Sequence, residues 1–149
     1  MPGIEFLLDA LTPVNVLLAI GGVVCGTVIG ALPGLTATMA VAVLVPFTFS
    51  MPSASALIAL GAIYTGAIYG GAYSAILLNT PGTPSAIATT FEGYPMAKRG
   101  DGDLAITLAC IASVFGGLVG AAFLLLLAPP LANFALKFGP VEYFWLAIF

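Results

Sequence analysis

Two long stretches of the chain carry no charged side chain, residues 10–91 and residues 104–136. Within them apolar positions run on without a regular polar face. They are interrupted only at clusters of proline, glycine and hydroxyl residues. A membrane-spanning helix needs about 20 consecutive apolar residues. The first stretch therefore has room for three helical passes, and the second for one with part of another. The breaks predict spans over about 14–32, 36–50, 54–78 and 104–127, with a further span starting near 142. Thr12-Pro13 opens the first span and Pro33-Gly34 closes it. Ser50-Met51-Pro52-Ser53 leads into the third, and Pro129-Pro130 is expected to end the fourth, with residues 131–139 as a short interfacial helix. The predicted fold is all-α: a polytopic transmembrane helical bundle with broken or re-entrant helices at its Pro-Gly breaks.

The second span is the irregular one. Only about 12 residues separate Thr36 from Phe47, short for a full crossing. Spans one and two form either a broken helix or membrane-embedded hairpin, or an ordinary interfacial turn followed by a short pass. Non-helical backbone at membrane depth survives only where protein or a polar cavity satisfies it. Glycines recur at Gly22, Gly26, Gly30 and Gly34, so they share one helix face. Such a face lets a second helix approach closely; it could equally thin the wall beside a substrate path. Gly116 and Gly120 repeat the spacing for packing in the fourth span. Tyr64, Tyr69 and Tyr73 lie on the third span. Packing with one interfacial tyrosine, or hydroxyls lining a cavity, would each explain them.

Composition agrees with a lipid environment. Of 149 residues, 61% are hydrophobic and 6% charged, where a soluble domain averages about 25% charged. Three Lys and Arg residues in all exclude nucleic-acid binding, which needs cations against phosphates. The opening MPGIEFLLDALTPV has no Lys or Arg. It thus lacks the positive leader region of a signal peptide, and the first span is expected to persist as a transmembrane helix. Lys98-Arg99 is the one basic cluster, so the positive-inside rule puts residues 92–103 in the cytoplasm. The apolar run after Glu142 looks like a span cut short, and the chain is expected to be a fragment of a longer protein.

Enzyme chemistry finds no residues to work with. There is no histidine, so a Ser-His triad cannot be built. Phosphate-loop, dinucleotide and zinc-protease motifs are absent, and the apolar runs hold no carboxylate. Cys25 and Cys110 sit inside apolar segments as small side chains expected to be buried, with no metal ligand set around them.

Two similar devices remain. One is Leu32-Pro33-Gly34-Leu35-Thr36-Ala37-Thr38 and the other Asn79-Thr80-Pro81-Gly82-Thr83-Pro84-Ser85. Each breaks an apolar segment at Pro-Gly and restarts a helix with hydroxyl residues. Thr83-Pro84 has the form of an N-cap followed by proline at the first helical position. A helix N-terminus presents free N–H groups and partial positive charge, suited to an anion. Broken helices in transporters hold substrate carboxylates at such ends, and Na⁺ at unwound carbonyls. Two ordinary capped turns would present the same residues.

At these residues the chain resembles the large membrane subunit of tripartite tricarboxylate transporters. The features are Gly30-Ala-Leu-Pro-Gly-Leu-Thr-Ala-Thr38, Tyr69-Gly-Gly71, Ile76-Leu-Leu-Asn-Thr-Pro-Gly-Thr-Pro84, Ala88-Thr-Thr90, Gly93-Tyr-Pro-Met-Ala-Lys98 and Phe138-Gly-Pro-Val-Glu-Tyr-Phe144. Two positions depart: Glu92 stands where the family usually has Asp, and Ala72 where Ser is common. The resemblance implies that residues 1–149 are the N-terminal portion of one transporter domain in a multi-pass protein of the bacterial inner (plasma) membrane. It implies a small membrane subunit and a periplasmic solute-binding protein as partners. The substrate would be citrate or a related carboxylate, taken up on an ion gradient, commonly Na⁺, with no other cofactor. Substrate and ion contacts would fall on Pro33, Gly34, Leu35, Thr36 and Thr38, and on Asn79, Thr80, Pro81, Gly82, Thr83 and Ser85. Glu92, Gly93, Tyr94, Pro95, Lys98 and Arg99 would belong to a cytoplasmic loop that shapes the gate. The alternative from another class is a non-transporting membrane scaffold, suggested by the repeated glycine faces.

Overall fold

The structure, a computed structural model, describes Leu8, residues 10–136, Phe138, Gly139, Trp145 and Ile148. Its elements are helices α1 (Pro13–Ala31), α2 (Ala37–Thr48) and α3 (Ser53–Leu78), a 3₁₀ turn (Pro84–Ala86), and helices α4 (Ile87–Lys98) and α5 (Gly102–Ala135). Among the described residues there is no β-strand. Helices α1, α3 and α5 are each long and apolar enough to cross a membrane, with mean hydropathies of 2.1, 1.4 and 2.4. Of the span expected near 142, Trp145 and Ile148 are described; Glu142 and most of its neighbours lie outside the described residues.

The chain divides into a unit up to Cys110 and a unit from Ile111 onward. In the first, α1 and α3 run parallel in close contact. A β-carbon added at Gly22 would strike Ala62 Cβ at 2.8 Å, and one at Gly26 would meet the Ile63 carbonyl and lie 2.9 Å from Ala67 N. The seam is reciprocal, because Gly66 faces Val23 and Thr27, and Gly70 faces Thr27 and Ala31. Gly22, Gly26 and Gly30 thus face α3, while Gly66 and Gly70 supply the other side. Without side chains between them, the two backbones meet directly.

Helix α2 returns the chain from the end of α1 toward the start of α3. Its Ala37 and Ala40 are buried with Ile63 and Ala67 of α3. Twelve helical residues cover only about 18 Å, so the return is shorter than a full crossing. Gly30 lies against Ala67, whereas α3 continues to Leu78, about two to three turns further. The Pro-Gly break at Pro33-Gly34 therefore sits before the far end of α3.

The chain then folds back again. Gly93 of α4 packs on Ile76, where a β-carbon would stand 2.7 Å from Ile76 Cγ1. The expected cytoplasmic loop is corrected here: Glu92, Gly93, Tyr94, Pro95 and Lys98 are helical, and Arg99 caps the helix. Pro95 removes one backbone bond only, while the gap at Gly93 gains contact with α3. Gly100, at φ 97°, closes the turn through bonds from its N–H to Ala97 and from Asp101 N–H to Met96. The first residues of α5 run back along α3, with the Ile106 carbonyl accepting from Tyr69 at 3.3 Å.

In the second unit α5 continues to Ala135 with Pro129 and Pro130 inside it. The expectation that this pair ends the helix is corrected. Each proline removes one N–H, whereas breaking an apolar helix orphans a whole turn of backbone groups. Gly116 and Gly120 have nothing within 4 Å of an added β-carbon, so they pack against no described neighbour. Cys25 and Cys110 are exposed, not buried; they lie on helix faces left open by the bundle.

Candidate functional site

Each break is built by local backbone chemistry. Leu32 leaves α1 in an extended conformation, with its N–H still bonded to Ile29 at 3.1 Å. Gly34 takes φ 94°, a left-handed conformation that glycine adopts freely. Thr36 then caps α2. Its Oγ1 accepts from Met39 N–H at 3.3 Å and lies 2.8 Å from Thr38 Oγ1. The N–H groups of Ala37 and Thr38, in the first turn, have no intrahelical acceptor.

The second break reverses the chain. Asn79 adopts φ 55° at the end of α3, as asparagine tolerates at a helix C-terminus. Thr80 N–H bonds back to Ser74. Residues 80–83 then lie along α3, with Gly82 N 3.5 Å from Gly71 O. Thr83 is extended and does not cap the turn with its side chain. Its Oγ1 pairs instead with Ser85 Oγ at 3.0 Å. The Thr83 carbonyl accepts from Ala86 N–H at 3.0 Å.

These reversals bring the two devices together. Thr36, Ala37 and Thr38 from the first, Thr83, Pro84 and Ser85 from the second, and Tyr64 and Ile68 of α3 line one cleft of about 350 Å³. That is within the range of small-molecule sites, roughly 300–1,000 Å³. No charged side chain lines it. Its polar lining is five hydroxyls, facing the N-terminal end of α2.

Of the residues expected to contact substrate, Thr36, Thr38, Thr83 and Ser85 meet in this cleft. Pro33, Gly34 and Leu35 form the turn before it and are not in its lining; Asn79, Thr80 and Pro81 form the reversal. Gly82 is buried against the Gly30 carbonyl. The three tyrosines separate. Tyr64 lines the cleft, while Tyr69 and Tyr73 pack edge to face with ring centroids 5.3 Å apart. Tyr64 was singled out with the other tyrosines as a candidate cavity hydroxyl, whereas Ile68 was not; its four-residue separation from Tyr64 on α3 was the available signal. Among the described residues no group of three or more His, Cys, Asp or Glu side chains could hold a metal ion. The side-chain oxygens at the cleft are hydroxyls.

The chain matches a family model, the tripartite tricarboxylate transporter TctA family, over residues 16–149. It is 46% identical over 139 residues to an uncharacterised 52.8 kDa protein in the TAR-I ttuC' 3' region of Agrobacterium vitis. That similarity covers 93% of this chain and 28% of the relative, so the chain spans little more than a quarter of that protein's length. No solved structure matches.

Proposed function

The chain belongs to the tripartite tricarboxylate transporter TctA family, a family of transporters and not of enzymes, and from that premise we propose that it forms part of a permease binding a carboxylate substrate in the cleft between its two Pro-Gly breaks. The carrying observation is that Thr36, Thr38, Thr83 and Ser85, from two distant helix starts, line one charge-free cleft.

The chemistry follows from the donors. A carboxylate accepts hydrogen bonds from hydroxyls and from the free N–H groups of Ala37 and Thr38, next to the positive end of the α2 dipole. No lysine or arginine lies between residues 10 and 91, so a bound anion in this half depends on these donors or on a co-bound cation. Na⁺ held by loop carbonyls serves as that cation and couples uptake to its gradient. The substrate is a tricarboxylate such as citrate, or a related acid. A periplasmic binding protein delivers it, and a small membrane subunit completes the complex in the bacterial inner membrane.

Uptake of labelled citrate and succinate tests this. Vesicles carry the natural polypeptide with its small subunit and binding protein, with and without an inward Na⁺ gradient. Gradient-dependent uptake of either acid supports the proposal. No uptake of either, with all components shown to be inserted, argues for the scaffold alternative.

A further inference from the structure

The hydroxyl of Thr83 owes its position to two missing β-carbons. The chain from Thr80 to Thr83 lies along α3, and three backbones cross where it does so. A β-carbon at Gly82 would meet the Gly30 carbonyl, Gly71 Cα at 2.9 Å and Ser74 Oγ at 2.9 Å. A β-carbon at Gly71 would meet Thr83 Oγ1 at 2.6 Å, Thr83 N at 3.0 Å and Thr83 Cγ2 at 3.1 Å. Contacts this short force something to move. Helix α3 is pinned on the neighbouring face by α1, since Gly70 already faces Thr27 and Ala31. The mobile partner is therefore Thr83, which is only 5% exposed, lines the cleft and shares a hydroxyl pair with Ser85.

We infer that Gly71 and Gly82 are positioning residues: they set the depth at which Thr83, and through it Ser85, present hydroxyls to the carboxylate-bearing substrate. This deepens the transport proposal and rests on it. Neither glycine touches the substrate. Gly82 holds the returning strand against α1 and α3, and Gly71 leaves the space that Thr83 fills.

The test compares Gly71→Ala with Gly70→Ala in the natural polypeptide in its membrane. Gly70→Ala stresses the same helix one residue away but points its methyl at α1. One readout needs no transport: the rate at which Ser85→Cys, with every other cysteine replaced, reacts with a water-soluble methanethiosulfonate. Gly71→Ala is expected to change that rate at least about fivefold, and Gly70→Ala less than about twofold. In uptake, Gly71→Ala is expected to raise the apparent KM about tenfold, with the maximal rate per inserted molecule nearly unchanged. Equal thiol rates in all three proteins overturn the inference. So do equal shifts in both variants, because helix packing alone would then set the cleft. Absence of uptake in the unmodified protein overturns the transport proposal, while the thiol rates still judge the positioning. If Gly71→Ala fails to insert, Thr83→Ser is added to remove the crowding Cγ2 methyl, and the same rates are read.

Discussion

Ser55 Oγ donates a 2.6 Å hydrogen bond to Asn15 Oδ1, joining the first turns of α1 and α3. Asn15 is 3% exposed, so the bond clasps the two helices at the end opposite the cleft. A polar clasp in an apolar bundle fixes which helix faces meet. Interhelical bonds of this kind average about 0.6 kcal/mol in membranes and reach about 1.7 kcal/mol. Ser55→Ala should lower unfolding stability by an amount in that range. Reversible unfolding in mixed micelles checks it, and an unchanged midpoint would refute the clasp.

The glycine seam makes a sharper prediction. A methyl at Gly26 meets the Ile63 carbonyl, whereas one at Gly21 meets nothing within 4 Å. Overpacking of a tight contact costs roughly 1–3 kcal/mol. Gly26→Ala should destabilise by that much, and Gly21→Ala should be neutral or slightly stabilising, since alanine favours helix by up to about 1 kcal/mol over glycine. The same micelle unfolding assay separates them. Equal effects at the two positions would show that the seam does not carry the packing.

Much of this fold was legible before the structure. Charge-free runs and Pro-Gly breaks locate α1, α2 and α3 because lipid penalises exposed backbone far more than water does. The hydroxyls after each break pointed to the cleft for a local reason, the needs of a helix start. What was not legible is long-range. Nothing in the spacing of Thr80 to Thr83 says that the strand turns back to Gly71, since that depends on Gly30, Gly71 and Gly82 meeting in space. Pro129-Pro130 misled for the opposite reason. Local propensity argued for a break, and the helix hydrogen bonds around the pair outweighed it. Gly66 and Gly70 carried the same four-residue signal as Gly22 and Gly26, in a stretch so rich in small residues that none stood out.

The cleft hydroxyls should act on affinity. Thr83→Val keeps the shape of a side chain that is 5% exposed and deletes the bond to Ser85 Oγ. A hydrogen bond contributes a net 0.5–1.5 kcal/mol or so, equivalent to an affinity loss of up to about tenfold. Thr36→Val should do the same while also removing the cap on Met39 N–H. Uptake kinetics in vesicles would show a raised KM for each. Unchanged KM in the double variant would remove these hydroxyls from the site.

Asn79 offers a contrast, because its role is conformational. It holds φ 55° at the end of α3 and is not in the cleft lining. Asn79→Gly should leave KM and stability near their original values. Asn79→Val, forced into a left-handed conformation, should lose about 1–2 kcal/mol of stability. A large KM shift in Asn79→Gly would instead make the side chain a substrate contact.

The two ends of α3 should face opposite sides of the membrane. Its 26 residues extend about 39 Å, beyond the roughly 30 Å of a hydrocarbon core. Ser53 starts the helix, and the turn holding Lys98 and Arg99 lies near its other end, since Gly102 approaches Leu77. Cytoplasmic placement of the basic pair then puts Ser53 outside. With Cys25 and Cys110 replaced, Arg99→Cys should react with an impermeant maleimide only from the cytoplasmic face, and Ser53→Cys only from the external face. Both positions are exposed, so access does not limit the reaction. Labelling of both from one side would mean that α3 does not cross. The reverse assignment would invert the whole bundle and turn the cleft, which lies nearer the basic end, toward the external side.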